Sequence, residues 1–147
     1  MKFQHTGHGC GSCQTDHGPK PFVSNMMQAA RQNENFRTAF WTGSHLQMTL
    51  MSIPSCGEIG VEMHPDTDQF IRVEDGQALV CMGDCKENLN FQCRIHKGEA
   101  VFIPSGTWHN VCNTESCPLK LSSIYAPPQH PKGTIHRTKA DAAHEKH

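Results

Sequence analysis

Glu62 and His64 stand two residues apart, Gln69 follows shortly after, and His109 lies on a later segment. Two imidazoles, one carboxylate and one amide oxygen are the makings of a single divalent metal site. With nitrogen and oxygen donors and no thiolate, such a set suits Fe(II), Mn(II), Ni(II) or Zn(II), and Cu(II) less well. Two histidines with one carboxylate are also the minimal ligand set of a non-haem iron oxygenase, with positions left open for substrate and O2. Gln69 is the weakest donor of the four, and it has a second role open to it, hydrogen bonding to the other ligands. The alternative is a metal-free interior in which the four side chains satisfy one another, since a buried Glu62 needs either a cation or a hydrogen-bond network.

Other residues invite the same question. Tyr125 is the only tyrosine. It ends a strand-like segment, where it could serve as a general acid or make a buried hydroxyl hydrogen bond. His5, His8, Cys10, Cys13 and His17 crowd the N-terminal stretch. Cys10 and Cys13 with two of those histidines would suit a second, tetrahedral zinc. A redox dithiol is less apt, because no helix is evident to lower a thiol pKa. The bland reading is an irregular arm that takes up metal only incidentally. His45, His96, His130 and His136, taken singly, read as surface or core histidines, and Trp108 as a packing residue facing away from His109.

The elements that must position these groups are strands. The segment from His45 to Ile53 alternates Leu46, Met48 and Leu50 with Gln47 and Thr49, the period of a half-buried strand. The texture is β from about Phe40. Further runs are expected at Ile59 to His64, Gln69 to Glu74, Gln77 to Met82, Asn90 to Ile95, Ala100 to Ile103, Trp108 to Asn113 and Leu119 to Tyr125. Pro-, Gly- and Asp-bearing turns separate them. Many short strands at even spacing predict a sandwich or closed barrel, and closure leaves no unpaired edges. Glu62 and His64 share one strand face by parity. Gln69 has the opposite parity and reaches the same interior only because the turn from Pro65 to Asp68 intervenes. Ser24 is expected to cap a short helix from Asn25 to Gln32. Pro127 and Pro128 end the sheet, and the tail from Thr138 is either a short helix or a frayed end.

At 147 residues the chain has the size of one domain. Residues 1–20 read as the irregular Cys/His-rich arm and 21–147 as a single domain with its barrel core at about 40–128. A net charge of −1 leaves no electrostatic footprint for nucleic acid or anionic membrane. The N-terminus lacks the apolar core of a secretory signal and no run is long enough to span a bilayer, so a cytoplasmic protein is expected. Of eight cysteines, six (Cys56, Cys81, Cys85, Cys93, Cys112, Cys117) read as small apolar filler in a reducing compartment.

The stretch from Glu62 to Gly76 resembles the first motif of the cupins: two ligands one residue apart, a third after four residues, a glycine after six more. The stretch from Gly98 to Asn113 resembles the second motif, with Pro104, Gly106, His109 and Asn113 at its signature positions. Two motifs in order, each on expected strands, make a strong signal. The likeness covers roughly residues 40 to 141. It implies an all-β fold, an RmlC-like double-stranded β-helix of jelly-roll type, with a short N-terminal helix. It also implies a small-molecule ligand and a homodimer. The C-terminal stretch from Ile124 to Ala142 is similar to small bacterial cupins labelled mannose-6-phosphate isomerase-like, a label that does not fix function. The usual cupin ligands are three histidines and a glutamate. Here Glu62 takes the first histidine position and Gln69 the glutamate position, so the set keeps one negative charge. The functions implied are a metal-dependent enzyme, dioxygenase-type or isomerase-like, or else a binding or sensing module.

Overall fold

The computed structural model describes residues 15–144. The element order is α1 (Met26–Gln32), β1 (Arg37–Thr42), β2 (Gln47–Ile53), β3 (Asp68–Asp75), β4 (Gln77–Gly83), β5 (Phe91–His96), β6 (Ala100–Ile103), β7 (Trp108–Asn113), β8 (Leu119–Ala126), β9 (Ile135–His136) and α2 (Lys139–Ala143). A six-stranded sheet, β6-β3-β8-β2-β1-β9, faces a three-stranded one, β5-β4-β7, and every pairing is antiparallel. This is the expected all-β jelly roll.

The register sorts the interior into rows. On the large sheet Val73, Leu121 and Met51 are opposite one another; Ile71, Ser123, Thr49 and Ala39 form the next row; Gln69, Tyr125 and Gln47 the next. The first row belongs to an apolar cluster with Ile53, Val80, Val111 and Leu119, all essentially inaccessible. Moving along β8 from Leu121 to Ser123 to Tyr125, the lining turns polar. One end of the barrel is therefore an apolar plug, whose burial supplies the main driving force for folding. The other end is a polar chamber. Outward-facing Phe40 and Leu50 lie beneath α1 and pack on Ala29 and Ala30.

Three expectations need correction. The segment from Ile59 to His64 is not a strand; it makes only single bridges, Glu58 to Cys112 and Glu62 to His109. Gly60 at φ +103° breaks the ladder between them, a conformation open to glycine and costly for other residues. The helix cap is Asn25, whose Oδ1 accepts from the Gln28 amide at 3.0 Å, rather than Ser24. Of the six cysteines read as filler, only Cys81 is buried, and Cys56, Cys85, Cys93 and Cys117 are exposed. The tail is a short helix, with Thr138 and Asp141 forming a reciprocal capping box. No helix among the described residues is long and apolar enough to cross a membrane.

Candidate metal centre

Glu62 is brought to His109 by backbone rather than by a long strand. Their amides and carbonyls exchange two hydrogen bonds of 2.9 Å each, so the two side chains start directly opposite one another. The Gly60 amide donates to Asn110 Oδ1 at 2.9 Å and the Gly106 amide donates to the His64 carbonyl at 2.8 Å, fixing the loop on either side. Glu62 Oε1 lies 3.4 Å from both His64 Nε2 and His109 Nε2. The donor atoms of Glu62, His64 and His109 all fall within 4.8 Å of one another.

That spacing is long for a charge-assisted hydrogen bond, which closes to about 2.8 Å. It matches ligands around a common ion: at metal–donor distances of about 2.1 Å, neighbouring donors lie roughly 3.0–3.4 Å apart. His109 Nδ1 is 2.9 Å from the Thr107 carbonyl. A carbonyl only accepts, so Nδ1 carries the proton and the Nε2 lone pair points at the carboxylate. Glu62 Oε1, His64 Nε2 and His109 Nε2 are all buried without a hydrogen-bond partner. Unanswered buried donor atoms converging on one point are what a cation would satisfy. Burial by itself would push the Glu62 carboxyl up; the ring nitrogens of His109 and His64, both 3.4 Å away, overrule it and hold it well below the ordinary carboxylate range.

Gln69 and Tyr125 are neighbours in register on β3 and β8. The Gln69 amide nitrogen donates to Ser123 Oγ at 2.9 Å, which turns Oε1 into the chamber, buried and without a partner. The Tyr125 ring meets the His64 ring edge-on at 5.8 Å and the His130 ring at 5.1 Å, and its hydroxyl has no hydrogen-bond partner. Burial raises its pKa, helped by the Glu62 charge and outweighing Arg37 and Ser123, which lie near enough to lower it without closing to hydrogen-bond distance, so it is a neutral phenol at physiological pH.

The Cys10/Cys13 cluster lies outside the described residues, apart from His17, which stacks on Phe22 at 4.0 Å and packs edge-on to Phe40. Trp108 lies on the outer side with Lys86 Nζ 6.0 Å above its ring. His45 and His96 are exposed, whereas His130 and His136 are buried. Sequence reasoning passed over Arg37, a residue only 4 % exposed whose guanidinium contacts His136 Nδ1 at 3.2 Å. It also passed over Gln47, whose amide holds the loop at 129–130 by donating to the His130 carbonyl and accepting from the amides of Gln129 and His130. A buried polar residue leaves no trace in an apolar period, so neither had a signal to find.

The Cupin domain family profile matches residues 49–125. The chain belongs to the cupins. This cupin is 58 % identical over 127 residues to the uncharacterized protein YrkC of Bacillus subtilis (strain 168), covering 86 % of this chain and 68 % of that one. It is 36 % identical over 115 residues to the uncharacterized protein L612 of Acanthamoeba polyphaga mimivirus, covering 78 % and 70 %. The crystal structure of BH2720 from Bacillus halodurans superposes with a TM-score of 0.87 at 58 % identity, covering 88 % of this chain and 98 % of that one.

Proposed function

We propose that this cupin is a metal-dependent enzyme acting on a small molecule, with Glu62, His64 and His109 as ligands to one divalent transition metal and Gln69 as an optional fourth. The observation that carries this reading is the convergence of three partnerless buried donor atoms on one point. The metal, once bound, would supply Lewis acidity and a place for a chelating substrate. The residues of the chain do the rest. Thr107 holds the His109 ring in its ligating tautomer, Ser123 keeps the Gln69 oxygen facing inward, and Tyr125 presents an O–H beside His64 as the candidate general acid. Three protein ligands with a loose fourth leave positions open, which favours an enzyme over a storage or sensing module.

Dioxygenase-type chemistry fits the ligand set better than sugar-phosphate isomerisation. A phosphosugar needs a basic pocket, and here Arg37 is a lone buried guanidinium while the other cations are dispersed: Arg72 is held by Glu74, Lys120 by the Asn33 carbonyl and Ser52, and Arg94 is exposed beside Thr114. A cytoplasmic location and a homodimer belong to the same proposal, and sedimentation of the full chain tests the dimer. The function is tested by water-proton relaxation of the Mn(II)-loaded protein. Fast-exchanging water on the metal is expected. A Mn(II) site with no exchangeable water would favour the sensing module instead.

A further inference from the structure

Arg37 is the most anomalous residue of the interior. On β1 it is in register with Met51 on one side and His136 on the other, so its side chain leaves the backbone in a row otherwise made of Val73, Leu121 and Met51. Its guanidinium stays charged at any physiological pH. Yet the residue is 4 % exposed, and no carboxylate forms an ion pair with it among the described residues. Its Nη1 meets a ring nitrogen, His136 Nδ1, at 3.2 Å rather than a carboxylate, and its Nε has no partner among the described residues. The contrast with Arg72 is instructive, since that guanidinium makes two hydrogen bonds to Glu74 at 2.8 and 2.9 Å. Burying a charge is expensive, and a well-packed apolar side chain is usually the more stable choice at such a position. A guanidinium kept there with no anion beside it among the described residues has the chemistry of an anion-binding group.

The surroundings agree. In the row above Arg37 the side chains nearest to it, Ala39, Thr49 and Ser123, are small, with Ile71 at the far end, and the next row holds Gln47, Tyr125 and Gln69. Thr49 Oγ1, Gln69 Oε1 and the Tyr125 hydroxyl are each buried without a partner within hydrogen-bond distance among the described residues, so part of the hydrogen-bonding capacity between Arg37 and His64 is unspent. One guanidinium and one hydroxyl match a planar monoanion; a phosphate would want more positive charge than this chamber holds.

We propose that Arg37, with the Tyr125 hydroxyl, receives the carboxylate of a small-molecule ligand inside the barrel, beside the Glu62, His64 and His109 cluster. The inference deepens the enzymatic reading by giving its substrate a class, a small carboxylic acid, and in that respect it rests on it.

The test uses glycolate and pyruvate as probes, glycolamide as the neutral match, and inorganic phosphate as the competing anion. Calorimetric titration and thermal unfolding are run on chelator-treated and Mn(II)-loaded full-length protein. The wild type is expected to bind glycolate or pyruvate in preference to glycolamide and phosphate. R37M should weaken that binding by on the order of 10- to 100-fold, the loss of one charge-assisted pair, while raising the unfolding midpoint of the ligand-free protein. R37K should recover part of the affinity, and Y125F should weaken it with little change in fold, which keeps the test decisive if R37M fails to fold. Equal binding of glycolamide, phosphate bound in preference, or undiminished carboxylate affinity in R37M and Y125F would overturn the proposal. Metal content separates the two readings. A wild type that binds metal but no carboxylate refutes this inference alone, and one that binds carboxylate through Arg37 but no metal refutes the metal reading alone.

Discussion

Leu121→Ala separates the two ends of the barrel. Leu121 is fully buried on β8 between Met51 and Val73, deep in the apolar plug. The substitution removes about three carbons, worth roughly 2.4 kcal/mol in transfer free energy at ~0.8 kcal/mol per methylene. Close-packed strand neighbours relax little, so the cavity left behind raises the total to about 3–4 kcal/mol. For a domain of this size that lowers the thermal midpoint by about 10 °C. The rows of Thr49 and Gln69 lie between this cavity and Glu62, so metal affinity should stay within about twofold of wild type, the additivity expected of sites without shared partners. Urea unfolding of chelator-treated protein measures the first quantity and competitive metal titration the second. A loss under about 1 kcal/mol, or a metal affinity that falls in step with stability, would refute the division into plug and chamber.

Other consequences follow from the same interactions. Asp16 accepts from the amides of Gly18, Thr42 and Gly133 and from the Thr42 hydroxyl; burial works to raise its pKa but these bonds prevail and lower it. A depressed carboxyl stabilises the fold above its unfolded pKa and loses that contribution as the pH falls through its folded one. Wild type should therefore exceed D16N by about 1–2 kcal/mol near neutrality, with the gap closing below about pH 4 in pH-dependent urea melts. G60A, forced to φ +103°, should cost about 1–3 kcal/mol and weaken metal binding by shifting Glu62, both read from melts and metal titration. S123A frees the Gln69 amide and should alter the ligand field of a Co(II)-substituted protein while Glu62, His64 and His109 keep the metal; an unchanged visible spectrum would count against Gln69 as a ligand.

How much of this was legible in the residues depends on the element. Ala100–Ile103 announces itself because burial on one side imposes a period of two; in Gln47–Ile53 the alternation marks the strand but not its faces, since Gln47 and Thr49 are buried in the interior and Leu50 is buried on the other side under α1. β1 begins at Arg37 rather than near Phe40, and its first residues hid because Arg37 and Thr38 are polar yet buried. β9 has two residues, too short for any period. The juxtaposition of Glu62 and His64 was reached by strand parity, whereas the structure brings them together through a bridge to His109 and the turn at Gly60. Arg37 could not have been foreseen as part of the chamber, because its place there depends on the pairing of β1 with β2 and β9.

The most direct test of the account is the metal content of full-length protein purified without chelator or added metal. Wild type and a C10A/C13A variant should each carry close to one equivalent of a divalent transition metal, and E62A and H109A should fold with their metal largely gone. Full occupancy in both E62A and H109A, or metal lost from C10A/C13A alone, would contradict the site.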